Sequence, residues 1–321
     1  MNNKRQRNML FTILLLVMAW LIPQWGWAQE TSRLSVGNGS TDKPYEISTA
    51  AELAWFRDYV NGVIVDEGEA PGTVHLSASA MLTEDIDLKN YCYAAGDGKE
   101  LLSWIPIGNA QNRWKGKMYG QKHTISNLYI KSAQDYVGLF GYIENAIIQD
   151  IIFNNAQVEN VSETGKETQY TGTLAGYVRY AYNNIYVIKG IRTTTDCKVT
   201  GQTSTGGIIG YTKINLERCE NHSSVKGTGG VGGIAGKCEG FLAEAINVKY
   251  CANYGTVEND KNRIGGIIGL GENIIIMKKK YMQPSMAVAE LENSTLLLAG
   301  SNPPKNYDSI RFTEGECDDP A

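Results

Sequence analysis

The stretch "VGLFG", residues 137–141, places glycines on both sides of two large apolar residues. Related stretches recur as "TGTLAG" (171–176), "TGGIIG" (205–210), "VGGIAG" (231–236) and "IGGIIG" (264–269), with a looser copy, "KGKMYG" (115–120), upstream. Recurrence every few tens of residues is typical of stacked-repeat architectures. The glycines that define the repeat are Gly138, Gly141, Gly172, Gly176, Gly206, Gly210, Gly232, Gly236, Gly265 and Gly269.

A second pattern follows the glycine stretches. In "CENHSSV" (219–225) and "CANYGTV" (251–257) a cysteine lies six residues before a valine and an asparagine lies four before it. "IFNNAQV" (152–158) has the same spacing, with Ile152 in the cysteine position and Asn154 in the asparagine position. Apolar and polar residues alternate in short segments bounded by Gly and Asn, which predicts short strands.

Each repeat is therefore predicted to be one coil of two or three short strands, stacked in parallel about 4.8 Å from the next coil. We expect Val158, Val225 and Val257 to form an inward ladder, and Asn154, Asn221 and Asn253 to stack at a turn. The glycines are expected to turn the corners, where the backbone bends sharply or needs a positive φ.

A short helix is predicted before the repeats. In "TAAELAWFRDYVNG" (49–62), Thr49 and Glu52 form a capping box, and Asn61-Gly62 ends the helix. Solenoids need a cap with one polar face over the first core layer, which is the expected role of this helix. The predicted organisation is a signal peptide (1–28), a linker (29–44), a capped β-helix (45–276) and a partly disordered C-terminal extension (277–321).

The N-terminus has the features of a secretory signal. Lys4, Arg5 and Arg7 precede an apolar run at 9–22, and small residues lead to an expected cut between Ala28 and Gln29. A retained anchor is the alternative, although the run is short for a membrane span of about 20 residues. We expect export to the periplasm, the cell surface or the medium of a Gram-negative bacterium.

Charge and composition exclude several kinds of partner. The formal charge of −4 becomes −7 without the three cations of residues 1–28. A mildly acidic chain without a basic patch is a poor nucleic-acid binder, so none is expected. No segment after the signal is apolar enough to predict an integral membrane span.

The extension from Met277 begins "MKKKYMQPSM" and is interpreted either as a fused, unrelated segment or as an ordinary C-terminal strand and cap.

The sequence resembles the GLUG-motif proteins, through Gly138-Leu139-Phe140-Gly141 and through the upstream stretches "LTEDIDL", "WIPIG" and "GKMYGQKHTISNLYI". The resemblance covers roughly residues 45–270. It implies a right-handed parallel β-helix on an exported bacterial protein, and similar repeats occur as accessory regions of IgA-specific metalloendopeptidases. No catalytic residue is attached to this repeat. Met118-Tyr119-Gly120 replaces the family's usual aromatic-Asp-Gly step, so no calcium-binding Asp is expected in that coil.

The motifs that carry chemistry elsewhere are weak here. "GTGGVG" (227–232) matches GxGxxG, but a repeat strand follows it instead of the helix that a dinucleotide site needs. His75, His123 and His222 lack metal-ligand spacing. No cofactor or metal is therefore expected. Cys219 and Cys251 share one repeat position and are interpreted as free buried thiols, with a disulfide as the alternative.

The functional prediction is a non-enzymatic binding protein for a glycan or a host or microbial surface protein. Tyrosines cluster in "YVRYAYNNIY" (177–186), and the predicted contacts are Arg179, Tyr180 and Tyr182; the alternative is that half of these tyrosines point inward. A polysaccharide lyase or glycosidase using Glu84 or Asp87 is one rival, although a charged edge explains these acids. A structural fragment of a larger surface protein is the other rival.

Overall fold

A computed structural model describes residues 34, 36–92, 102–163, 168–180, 187–240, 245–259, 263–272, 274–277 and 310–312. All of them belong to one compact unit, Ser32–Ala321. The predicted signal peptide and its expected cut at Ala28 and Gln29 lie outside the described residues, as do most of the extension and Tyr182.

The described chain forms a parallel β-helix, as the repeats predicted. One complete coil runs through β9 (Ile147–Gln149), β10 (Ile152–Asn154), β11 (Gln157–Asn160), β12 (Tyr170–Thr171) and β13 (Ala175–Arg179). These five strands belong to five different parallel sheets, numbered here 1 to 5 in the order in which a coil visits them. Each such coil therefore contributes one short strand to every sheet. A coil has five strands, whereas the sequence predicted two or three.

The remaining strands continue the same five sheets. In sheet 1 they are β1 (Tyr45–Ile47), β2 (Ala80–Leu82), β4 (Lys117–Tyr119), β14 (Val187–Lys189), β19 (Asn215–Glu217), β24 (Ile246–Lys249), β29 (Ile274–Met277) and β30 (Ile310–Phe312). In sheet 2 they are β3 (Ile86–Asp87), β5 (Thr124–Ser126), β15 (Arg192–Thr193), β20 (Glu220–Asn221) and β25 (Ala252–Asn253). In sheet 3 they are β6 (Tyr129–Ser132), β16 (Lys198–Thr200), β21 (Ser224–Gly227) and β26 (Val257–Asn259). In sheet 4 they are β7 (Tyr136–Val137), β17 (Ser204–Gly206), β22 (Gly230–Gly232) and β27 (Ile264–Gly265). In sheet 5 they are β8 (Phe140–Glu144), β18 (Ile209–Thr212), β23 (Ala235–Glu239) and β28 (Ile268–Glu272).

The predicted valine ladder lies inside sheet 3. Val158 pairs with Val199, which pairs with Val225, which pairs with Val257. Val158 and Val225 are buried, whereas Val257 is half-buried in the last described coil. Identical residues that stack in register bury their apolar surface against one another. The packing is therefore nearly the same in each coil.

The capping helix is present as α1 (Ala50–Val60), and a second short helix, α2 (Lys89–Cys92), follows β3. The Thr49 side chain accepts a hydrogen bond from the Glu52 amide, and the Glu52 carboxylate accepts one from the Thr49 amide, so the predicted capping box is confirmed. Phe56 packs edge-on against Trp114, which in turn stacks on Phe140 of β8. The apolar face of α1 thereby joins the core of the coils.

The expected reason for the repeat glycines is wrong in one respect. None of the ten repeat glycines has a positive φ. Their lack of a Cβ matters because two backbones approach each other at this corner. A Cβ on Gly176 would meet the Val137 amide nitrogen, and one on Gly210 would meet the backbone of Tyr170 and Thr171. The glycines allow sheet 5 to fold sharply against sheet 4.

Positive φ angles occur instead in other turns, and they recur most regularly at the corner between sheets 1 and 2. Asp150, Gly190, Arg218 and Tyr250 follow the sheet 1 strands of successive coils, with φ of 56°, 65°, 51° and 57°. Only one of these four residues is glycine. The left-handed conformation is thus a property of the corner, and side chains that point outward are accepted there.

The second sequence pattern was aligned wrongly by one residue at its first copy. Glu220 pairs with Arg192, which pairs with Ile152, so Ile151 and not Ile152 occupies the position of Cys219 and Cys251. The turn from sheet 2 to sheet 3 varies in length, which shifts the apparent spacing. Four residues separate Phe153 from Val158, and three separate Asn221 from Val225.

The asparagine ladder is accordingly shorter than expected. Thr193 donates a hydrogen bond to Asn221 Oδ1 at 2.7 Å, and Asn221 donates one from Nδ2 to Asn253 Oδ1 at 2.8 Å. Asn154 lies outside this ladder and accepts a hydrogen bond from the Thr194 hydroxyl at 3.0 Å. The interior polar column therefore begins at Thr193, where the preceding coil has the apolar Phe153.

Candidate binding groove

A row of tyrosines lies on the outer face of sheet 5. Tyr142, Tyr177 and Tyr211 each follow a closing glycine of the repeat, and they pair in register across β8, β13 and β18. Their ring centroids are 4.6 Å apart between Tyr142 and Tyr177 and 4.8 Å apart between Tyr177 and Tyr211. The strand spacing of a parallel sheet sets these distances.

Two further tyrosines approach this row from sheet 4. Tyr136 of β7 pairs with Tyr170 of β12. The ring of Tyr136 lies 5.1 Å from that of Tyr142, and the ring of Tyr170 lies 5.1 Å from that of Tyr211. Contact between outward-pointing rings of two sheets requires a concave surface at their corner, which the close-packed glycines provide. We call the concave surface formed by Tyr136, Tyr142, Tyr170, Tyr177 and Tyr211 the tyrosine groove.

The rings differ in exposure. Tyr142 and Tyr211 are buried by their neighbours, whereas Tyr136, Tyr170 and Tyr177 are half-buried and present ring surface to solvent. Burial is the main cause that raises the pKa of the Tyr136 and Tyr177 hydroxyls above the ordinary value. These hydroxyls stay neutral at physiological pH, so each can donate a hydrogen bond.

One end of the groove carries a cluster of three cations around one carboxylate. Glu144 lies 3.2 Å from Arg113, 3.4 Å from Lys115 and 3.8 Å from Arg179. The Arg113 guanidinium also covers the Tyr142 ring at 4.9 Å from its centroid. A hydrogen bond with Tyr142 is the main cause that raises the pKa of Arg179.

The other end carries two cations around Glu239. This carboxylate lies 2.6 Å from Lys237 and 2.9 Å from Lys213, and it accepts a hydrogen bond from the Tyr211 hydroxyl. Burial by itself would raise the pKa of Glu239, but the hydrogen bonds from Lys237, Tyr211 and Lys213 outweigh it and lower the pKa to about 2. Lys237 also lies 4.7 Å above the Tyr211 ring.

A polar pocket opens beside Tyr136. Its volume is about 380 Å³, and its lining residues are Gly108, Asn109, Ala110, Gln111, Gln134, Asp135 and Tyr136. Arg113 joins the pocket to the groove, since its Nε donates a hydrogen bond to the Ala110 carbonyl. Amide and carboxylate side chains beside an aromatic ring are a combination that can both stack on a ligand and orient it.

The predicted contact residues fall into three groups. Arg179 is on the outer face beside the groove, with 41% of its side chain exposed. Tyr180 is a core residue, only 6% exposed, so the expectation that it contacts a ligand is wrong. The alternation of a strand explains this, because Tyr177 and Arg179 point outward while Val178 and Tyr180 point inward. Tyr182 lies outside the described residues.

The sequence carries a signal for the groove that the predicted site at 177–186 does not use. A tyrosine follows the closing glycine in three successive repeats, at Tyr142, Tyr177 and Tyr211, and another precedes the opening glycine by two residues at Tyr136 and Tyr170. These positions relative to the glycine pairs define all five residues of the groove, whereas the segment 177–186 contains only Tyr177.

The cysteines, the histidines and the remaining acidic residues were the other candidates for a functional site. The five cysteines of the described part of the chain, including Cys219 and Cys251, are free thiols. Asp85 contacts His123 at 3.3 Å, and the Thr124 amide that donates to its carboxylate lowers its pKa. Within the described residues, no group of His, Cys, Asp and Glu side chains could hold a metal, and no helix is long and apolar enough to cross a membrane.

The comparisons with known proteins give partial matches. No protein-family profile matches the chain. A stretch of 194 residues, 59% of the chain, is 31% identical to 2% of halomucin from Haloquadratum walsbyi. A stretch of 163 residues, 50% of the chain, is 31% identical to 16% of a protein from Evansella cellulosilytica named "Putative Gly-rich membrane protein". The chain thus spans a small part of the curated relatives that it matches.

One solved structure is similar in outline. The crystal structure of "a putative immunoglobulin A1 protease" from Bacteroides ovatus shares 21% identity and a TM-score of 0.48, with 76% of this chain and 78% of that chain covered. These likenesses assign the chain to no family.

Proposed function

We propose that this chain is a non-catalytic binding module of an exported, surface-associated protein, and that the tyrosine groove with its adjoining pocket binds glycans. The observation that carries the proposal is the continuity of three partly exposed rings, at Tyr136, Tyr170 and Tyr177, with a pocket of amide and carboxylate side chains. Flat ring faces stack on the apolar faces of sugars, and the polar groups pair with hydroxyls.

The surface association is supported by two further observations. The N-terminal residues have the charge and apolar pattern of an export signal. One of the partly matching relatives is named as a membrane protein. A solenoid is also a rigid scaffold that presents side chains at fixed intervals along one face.

Binding without catalysis is favoured by the state of the carboxylates. A glycosidase needs one carboxyl group whose pKa is raised so that it stays protonated and can donate a proton. The pKa of Glu239 is instead lowered to about 2, and Glu144 is surrounded by cations. The carboxylates of Glu239 and Glu144 are therefore better suited to holding the neighbouring cations in place than to donating a proton.

The test is binding of the full chain to a glycan array and to soluble polysaccharides, followed by calorimetry. The double variant Tyr136→Ala/Tyr177→Ala should weaken binding at least tenfold, about 1.4 kcal/mol. The matched control is Tyr254→Ala, since Tyr254 is 59% exposed and stacks on His222 away from the groove. Tyr136→Phe/Tyr177→Phe keeps the rings and should retain most of the affinity.

Circular dichroism and thermal melting must first show that the double variant is folded. If the folded double variant then binds as well as the wild-type chain, or if Tyr254→Ala loses as much affinity, the tyrosine groove is not the binding site.

A further inference from the structure

The charges beside the tyrosine groove are unbalanced. Three cations share the single carboxylate of Glu144, and two share that of Glu239. The pocket adds the carboxylate of Asp135. Glu272 of β28 pairs in register with Glu239 and adds a fourth. Five cations therefore face four carboxylates, in a chain whose overall formal charge is −4. This local excess of positive charge opposes the charge of the whole protein.

Two ion pairs on the outer face of sheet 3 show one-to-one pairing. Lys131 lies 3.3 Å from Glu159, and Lys226 lies 3.9 Å from Glu258, so each cation has its own carboxylate. Exposed pairs of this kind are neutral overall and contribute little to stability. The groove departs from this arrangement, because its carboxylates are outnumbered.

The surplus cations are accessible. About half of the Lys115 side chain and 41% of the Arg179 side chain are exposed, and the nearest Arg179 nitrogen is 3.8 Å from Glu144. At that separation the pair is loose, and an incoming anion can compete for the guanidinium. A planar guanidinium binds a carboxylate or a sulfate through two parallel hydrogen bonds.

The cations are not spread evenly along the axis of the solenoid. Beside the row of rings, successive coils of sheet 5 present Glu144, Arg179, Lys213 (the residue after β18), Glu239 and Glu272 in register, and Lys237 pairs with Tyr211 in the row itself. The exposed cations Lys115 and Arg179 therefore lie together at the Glu144 end of the groove. An acidic group of a polymer can pair with them there while neighbouring sugars stack on the rings.

We propose that the ligand of the tyrosine groove is an anionic polysaccharide, held by stacking on Tyr136 and Tyr177 and by pairing of its acidic groups with Arg113, Lys115 and Arg179. The inference rests on the proposed glycan-binding function and specifies the class of glycan. The acidic groups are carboxylates or sulfates, which share the chemistry that guanidinium and ammonium groups recognise.

The experiment measures binding of the full chain to three soluble polymers of similar length: polygalacturonate for carboxylates, dextran sulfate for sulfates and unmodified dextran for the neutral case. We expect at least one anionic polymer to bind ten times more tightly than dextran. Raising the salt from about 0.05 M to about 0.5 M should weaken that binding severalfold, since it shortens the Debye length. The stronger of the two anionic polymers identifies the acidic group.

The charge variants complete the test. Arg113→Gln/Arg179→Gln should lower the affinity for the anionic polymer at least tenfold and lower the affinity for dextran by a clearly smaller factor. Lys131→Gln, which removes a paired cation from sheet 3, is the matched control and should change neither. Arg113→Lys/Arg179→Lys keeps the charges and should keep more affinity than the glutamine variant, which separates charge from a loss of folding.

Three outcomes separate a failure of the inference from a failure of the function on which it rests. If dextran binds as tightly as both anionic polymers and the tyrosine variants still lose binding, the groove binds glycans but the inferred charge preference is wrong. If none of the three polymers binds, both the inference and the glycan-binding function are overturned. If the anionic polymers bind but Lys131→Gln weakens them as much as Arg113→Gln/Arg179→Gln, binding reflects diffuse charge and the inferred site is wrong.

Discussion

The corner between sheets 4 and 5 and the corner between sheets 1 and 2 bend the same chain in different ways. At the first corner, the backbones meet so closely that Gly141, Gly176 and Gly210 have no room for a Cβ. At the second corner, the residue adopts a left-handed conformation, and Arg218 and Tyr250 are accepted there. The first corner is concave, and aromatic rings of sheets 4 and 5 contact one another there. At the second corner the side chains point outward, away from the core. The repeat glycines are therefore required by the close approach of two backbone segments and not by a positive φ.

The largest expected effect is at the concave corner. Gly210→Ala would place a Cβ against the backbone of Tyr170, Thr171 and Gly176, none of which can move without shifting a strand. We expect a loss of about 3 kcal/mol in the free energy of unfolding, at the upper end of overpacking effects. Denaturant unfolding followed by circular dichroism measures this change.

Gly271→Ala is the matched control for that substitution. Its Cβ would meet the terminal Cδ1 methyl of Ile274 at 2.6 Å, and this methyl can shift by rotation about χ2 without moving a strand. We expect a loss below about 1 kcal/mol. Equal losses at Gly210 and Gly271 would contradict the close-approach explanation of the repeat glycines.

A smaller effect is expected from the charges beside the concave corner as the pH falls. The pKa of Glu239 is about 2 in the folded chain, against a usual value of 4.5. A carboxyl group with a lowered folded pKa stabilises the fold above its unfolded pKa, and this contribution is lost as the pH falls from about 4.5 to about 2. Glu239→Gln removes this dependence, so its melting temperature should lie below that of the wild-type chain at pH 6 and approach it at pH 2.5. A constant difference across that range would show that Glu239 acts through packing and not through its charge.

The smallest effect is expected at the left-handed corner. Arg218→Gly relieves a conformation that costs an L-residue about 1–2 kcal/mol, while glycine itself costs up to about 1 kcal/mol of chain entropy. We expect a melting temperature equal to or slightly above that of the wild-type chain. Arg192→Gly, in a regular strand of sheet 2, should lower it. A clear destabilisation by Arg218→Gly would mean that the Arg218 side chain, and not the backbone, supports this corner.

The sequence was sufficient for the repeat and insufficient for the register. The glycine periodicity, the valine ladder and the Thr49–Glu52 capping box all follow from local spacing, and the structure confirms them. The alignment of Ile152 with Cys219 failed because the turn before Val158 is one residue longer than the turn before Val225. Spacing along the chain does not show which turn absorbs an extra residue.

The tyrosine groove needed three dimensions for a related reason. Tyr136 and Tyr142 stand on opposite sides of the "GLFG" stretch, and they meet only because the glycines fold sheet 5 back against sheet 4. The site predicted in the tyrosine-rich segment 177–186 differs from the groove, because alternation along β13 separates Tyr177 and Arg179, which point outward, from Tyr180, which points inward. The alternation of inward and outward side chains along the strand could be predicted from the sequence. The concave corner between sheets 4 and 5 could not.

The central claim is that the concave corner makes the binding surface, and hydroxyl-radical footprinting of the full chain with and without an anionic polysaccharide tests it most directly. Mass spectrometry reports the oxidation of each tyrosine side chain, and only residues with exposed ring surface react. Saturating polymer should protect Tyr136, Tyr170 and Tyr177 while leaving Tyr254 oxidised as before. Protection of Tyr254 with no change at Tyr136, Tyr170 and Tyr177 would place the ligand away from the groove and contradict the account.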